Sequence, residues 1–97
     1  MRIRVTRRAD AHIEQAATWW QENRPLAPAA LHEELAEAFA LLTSQPAIGA
    51  PASNTRTKGV RRVHLARIRY YLYYRVHGEQ IDVLALWHTS RGNPPTV

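Results

Sequence analysis

The chain has 97 residues, 45% of them hydrophobic, and thirteen Lys+Arg against eight Asp+Glu give a formal charge of +5. This length supports one domain, residues 1–97, with a single core and no room for a separate regulatory module. The absence of cysteine excludes disulfides, thiolate metal sites and a cysteine nucleophile.

Arg2-Ile3-Arg4-Val5 alternates with period two and predicts a short strand, with Thr6 placed to cap the helix that follows. From about Arg7 to Asn23, Ala9, Ile13, Ala16, Ala17 and Trp20 recur at three- and four-residue spacing, the pattern of an amphipathic helix. Pro25 stops it, because the residue before a proline is pushed out of the helical region. A second helix is expected from about Pro28 to Ser44, with Leu31, Leu35, Phe39 and Leu42 on one stripe, so that the two form a hairpin. Gln45 to Lys58, with Pro46, Gly49, Pro51, Ser53 and Asn54, reads as an irregular connection. Three runs rich in β-branched and aromatic residues follow, about Val60 to Leu65, Tyr70 to His77 and Gln80 to His88, with Gly78 supplying the positive φ of a tight hairpin. The fold class is α+β, in the order β-α-α-β-β-β, with the helical hairpin packed on a twisted, mainly antiparallel sheet.

Alternation sorts the side chains by face. On the strand from Tyr70, the set Tyr70, Leu72, Tyr74 and Val76 is expected in the core, and Tyr71, Tyr73 and Arg75 at the surface. On the last strand both the set Ile81, Val83, Ala85, Trp87 and the set Asp82, Leu84, Leu86, His88 are largely apolar, which places that strand inside the sheet.

No apolar run approaches the ~20 residues needed to span a bilayer. The opening MRIRV alternates basic and apolar residues, unlike a secretory signal, so a soluble cytoplasmic protein without membrane contact is expected. His12, His32, His64 and His77 lie at no metal-ligand spacing, and no glycine-rich loop precedes a helix, so no metal and no cofactor are expected. Twelve of the thirteen cations are arginine, whose flat fork suits carboxylate and phosphate. Arg56, Lys58, Arg61, Arg62, Arg67, Arg69 and Arg75 follow one another with no Asp or Glu between them. Such a run is either a solvated face or a surface that receives an acidic partner.

The element order, with "GVRRVHL" entering the sheet, "YYLYYRVHGEQIDVLALWH" as its central hairpin and "WHTSRG" closing it, resembles the RelE/ParE superfamily of type II toxin-antitoxin toxins. The likeness covers nearly the whole chain and is closer to the ParE branch, whose H-x-x-R ending resembles His88-Thr89-Ser90-Arg91. It implies a growth-arresting toxin of the kind found in plasmid stabilization. The partners it implies are a cognate acidic antitoxin, which also provides the only route to operator DNA, and DNA gyrase as target. The RelE branch instead implies a metal-independent endoribonuclease acting on mRNA at the ribosome, for which Arg61, Arg67, Arg69 and His88 are the candidate catalytic residues. Ribonucleases of that branch often carry arginine where this sequence has Tyr71, and a tyrosine or lysine near the end of the last strand, whereas no tyrosine follows Tyr74 here. A third alternative is an inactive homologue that only binds its antitoxin as a co-repressor. Arg61, Arg62, Arg67, Arg69, Tyr71, Tyr73, His88 and Arg91 are the candidates for contact with antitoxin or target.

Overall fold

The computed structural model describes residues 1–97. Two helices, α1 (Arg7–Asn23) and α2 (Ala30–Ser44), pack on a mixed sheet of β1 (Arg2–Val5), β2 (Ala50–Pro51), β3 (Val60–Leu65), β4 (Tyr70–His77) and β5 (Gln80–His88). The sheet order is β1-β5-β4-β3-β2, with β1 parallel to β5 and every other pair antiparallel. The expected α+β order holds, with one addition: Ala50 and Pro51 pair with Arg62 and Arg61 inside the stretch expected to be irregular. A proline at a sheet edge need not donate, so this short strand ends the ladder without weakening it.

Local chemistry accounts for the boundaries. Thr6 caps α1 by accepting from the Ala9 N–H at 3.2 Å. The Trp20 indole N–H donates to the Ala27 carbonyl at 2.6 Å, pinning the interhelical loop to α1. α2 starts at Ala30, two residues later than Pro28. Gly78 takes φ +60° as the first residue of the two-residue turn between His77 and Gln80, the left-handed geometry a tight hairpin favours. The turn between β3 and β4 places Arg69, a non-glycine residue, at φ +62°.

Ala9, Ala16 and Trp20 of α1 and Leu31, Leu35 and Leu42 of α2 meet Leu72, Tyr74, Ile81, Val83 and Leu86 in the main core of fifteen buried residues. Tyr74 is completely buried, and its hydroxyl accepts from Gly49 N–H at 2.9 Å and donates to the Pro46 carbonyl at 2.8 Å. The connection after α2 is thereby fastened to the middle of the sheet. Gly49 is required there, because a Cβ would lie 2.7 Å from the Tyr74 hydroxyl and 2.9 Å from the Arg62 carbonyl.

Two expected side-chain placements are corrected. Tyr73 is not a surface residue but is 3% exposed, in a second small cluster with Val60 and Ala85 on the face opposite the helices. The loop residue Ala52 and the C-terminal Val97 pack against that cluster, covering a face that strand alternation alone leaves open. Val76 is not in the core but 37% exposed, near the hairpin end of β4. The ladder also shifts between Tyr73 and Tyr74, which pair with Ala85 and Val83 and leave Leu84 as the extra residue. This bulge puts Leu86 in the main core with Ile81 and Val83, and Ala85 in the second cluster, so β5 does not alternate strictly along its length.

Candidate functional site

The open face of the sheet carries a row of aromatic and basic side chains across three strands. His64 pairs with Tyr71 across β3 and β4, and Tyr71 with Trp87 across β4 and β5. The His64 and Tyr71 rings lie 5.2 Å apart, and Tyr71 meets Tyr73 edge to face at 6.4 Å. Arg62 stands over the Tyr71 ring at 4.1 Å and donates to the Tyr73 hydroxyl at 3.3 Å. Arg91 stands over the Trp87 ring at 4.0 Å, while the Trp87 indole N–H donates to the Asn93 carbonyl at 2.7 Å. Arg62, Arg91, Tyr71, Tyr73 and Trp87, with His88, line a recess of about 270 Å³ between residues 51–54 and the tail. No carboxylate lines it. A guanidinium held on an aromatic face is pre-positioned and keeps its in-plane N–H groups for an anion, at a stabilisation of roughly 0.5–1 kcal/mol when exposed.

The expected site residues do not form one patch. Arg61 turns to the helix side, where its guanidinium donates to the Gly49 carbonyl at 2.7 Å and the Ala47 carbonyl at 3.3 Å. Arg67 reaches α2, 3.1 Å from Glu33 and 3.9 Å from Glu34. Arg69 is exposed in the β3–β4 turn, and its carbonyl accepts from Thr89 N–H at 3.0 Å. Arg75 is drawn to the buried Asp82 at 3.7 Å, a carboxylate that also meets Arg4 at 3.3 Å and the Gln80 amide at 2.7 Å. Of the basic run, only Arg62 joins Tyr71, Tyr73, His88 and Arg91 at the recess.

For phosphodiester chemistry this separation matters. Arg61 and Leu65 stand four positions apart on β3, about 13 Å at strand rise, and Leu65 is the residue level with Tyr70 and His88. Arg61 therefore does not share a reaction centre with His88. The His88 ring accepts at Nδ1 from Ser90 N–H at 3.1 Å and packs edge-on against Tyr70 at 5.0 Å.

Trp87, His64 and His12 were not among the expected site residues. Trp87 was foreseeable from the pairing of two aromatic strands, since it stands directly opposite Tyr71. His12 required the fold: β1 pairs β5 only as far as Val83, and beyond it the Leu86 N–H finds His12 Nδ1 of α1 at 3.3 Å. Burial lowers the His12 pKa, with Arg8 and Arg91 adding to the effect. Burial raises that of Tyr70, partly opposed by Arg91.

Residues 3–92 match the family model for the ParE toxin of type II toxin-antitoxin systems, parDE. The chain belongs to the ParE toxin family. Its fold is also that of a solved structure described as the chromosomal ParDE TA system from P. aeruginosa, with a TM-score of 0.72 and 22% identity, covering 93% of this chain and 97% of that one. No curated protein sequence matches the chain significantly. His88 and Arg91 both line the recess. No helix of this ParE-family chain is long and apolar enough to cross a membrane.

Proposed function

We propose that the protein is a cytoplasmic toxin that inhibits DNA gyrase and is neutralised by a cognate acidic antitoxin, through which alone it reaches operator DNA. Membership of the ParE family supports the toxin class and an antitoxin partner. The observation that carries the reading is the open-face recess, where Arg62 and Arg91 stand on Tyr71 and Trp87 with no carboxylate lining the site. An acidic segment laid there gains charge-assisted hydrogen bonds from both guanidinium groups and apolar contact from the rings. Tyr73 holds Arg62 in place, while Arg67, paired with Glu33, and Arg69, exposed in the β3–β4 turn, lie outside the recess. Arg61 contributes by fixing the loop that follows α2.

Gyrase inhibition is favoured over mRNA cleavage because Arg61 is tied to loop carbonyls, Arg67 is paired with Glu33, and neither lines the recess with His88. The test is expression without antitoxin, followed by a supercoiling assay with purified gyrase. Growth arrest with DNA-damage signalling, and loss of supercoiling activity in vitro, are expected before any loss of mRNA. Rapid mRNA cleavage at the ribosome, abolished by His88→Ala, would overturn the reading in favour of a ribonuclease. Harmless expression of folded protein would leave an antitoxin-binding co-repressor.

A further inference from the structure

A second cleft opens on the helix side of the β5 edge, with a volume of about 400 Å³. His12, Gln15, Trp19, Tyr70, His88 and Arg91 are among its lining residues, and no carboxylate is. Its size falls in the usual range for small-ligand pockets, roughly 300–1,000 Å³.

Both histidines have their tautomer set by the backbone. Leu86 N–H donates to His12 Nδ1 at 3.3 Å, and Ser90 N–H donates to His88 Nδ1 at 3.1 Å. A backbone amide can only donate, so in each neutral ring Nδ1 is the acceptor and the proton sits on Nε2. Neither Nε2 has a partner within the protein. His12, His88 and Arg91 thus bring three donor side chains to the lining of a cleft that holds no opposing negative charge. The other end is apolar. Trp19 lies two turns along α1 from His12, about 10 Å at helical rise, and Gln15 falls between them. Arg24 covers one side of the Trp19 ring at 5.4 Å, yet the residue is 41% exposed.

The geometry points to a nucleotide-binding site in this cleft, with the phosphate held by His12, His88 and Arg91 and the base laid against Trp19. Donors at one end and a half-exposed indole about 10 Å away match the span and the two chemistries of a nucleoside monophosphate unit. A bare oxyanion would leave Trp19 unused, and an apolar ligand would leave the three donors without acceptors. The unit is either a free mononucleotide or part of a single strand, which share this chemistry. The site shares Arg91 and His88 with the open-face recess but runs from them to the helix side of β5, and it does not depend on which macromolecule the toxin poisons.

Calorimetric titration of the full chain with adenosine 5′-monophosphate, inorganic phosphate, adenosine and a short single-stranded RNA tests it. Saturable binding of the monophosphate is expected, tighter than that of phosphate or adenosine. His12→Asn retains an acceptor for Leu86 N–H while removing the Nε2 donor, and with Arg91→Gln it should weaken monophosphate binding about ten- to a hundredfold. Trp19→Ala should cost the monophosphate about fivefold or more and leave inorganic phosphate unchanged. RNA binding tighter than the monophosphate, with the same response to the variants, identifies the strand as source; equal or weaker binding identifies the free nucleotide. No monophosphate binding at millimolar concentration, or binding indifferent to Arg91→Gln and Trp19→Ala, overturns the proposal. Those two side chains are exposed, so the test stands even if His12→Asn fails to fold.

Discussion

The two faces of the sheet use the same residue types for opposite ends. Against the helices, Tyr74 is fully buried and its hydroxyl is satisfied by two backbone groups of the loop after α2. On the other face, Tyr71 is half-buried and carries a guanidinium on its ring. One face gathers fifteen buried residues and the other three. The stability of the domain accordingly resides on the helix side, which leaves the open side free to hold cations that contribute little to folding.

Substitutions can break that contrast in order of size. Leu72→Ala or Ile81→Ala empties a fully buried position between helices and sheet, and should cost about 2–5 kcal/mol in urea unfolding. Tyr74→Phe leaves Gly49 N–H and the Pro46 carbonyl without their partner and should cost about 1–3 kcal/mol. Tyr73→Phe, one residue away, loses only a 3.3 Å contact with Arg62 and should cost less than about 1 kcal/mol. Equal effects for the two tyrosines would show that the open face also carries the fold.

Smaller effects sharpen the comparison at its edge. The folded His12 pKa lies below its ordinary value of 6.5 because burial and two arginines disfavour the cation. The stability linked to it is therefore complete above about pH 6.5 and lost as pH falls through the folded value, because the unfolded chain takes up the proton first. In His12→Asn the corresponding fall in melting temperature should shrink. Arg69→Gly relieves a left-handed backbone and should stabilise by about 1 kcal/mol, read as a small rise in the unfolding midpoint. If Arg69 serves recognition, that variant gains stability while losing affinity.

Much of this fold is legible in the residues themselves. The period-two run at Arg2, the cap at Thr6, the stop before Pro25 and the glycine at 78 each locate an element through local sterics. Tyr73 was not legible in the same way. It belongs to a small cluster against which Ala52 and Val97 pack, contributed by a loop and a tail remote in sequence. The bulge at Leu84 was hidden because every residue from Val83 to Trp87 is apolar, so a slip of one position leaves no trace in the pattern. The recess was half legible: a basic run is visible, but only the pairing of strands shows that Arg62 joins Tyr71 while Arg61 turns to a loop and Arg67 to Glu33.

The central claim is that the open face, with Arg62 and Arg91 on their aromatic rings, is the recognition surface of this toxin. Antitoxin affinity of an Arg62→Glu, Arg91→Glu double variant, measured at low and high salt beside its melting curve, tests this most directly. The account predicts a melting temperature within a few degrees of the parent, since Arg91 is exposed and the half-buried Arg62 gives up only its place on the Tyr71 ring and a 3.3 Å contact with Tyr73, at about 0.2–1 kcal/mol each. Affinity should fall by about 2–5 kcal/mol for each desolvated pair. Unchanged affinity in a folded double variant would contradict it and move the antitoxin to another surface, with the helical hairpin next to be tested.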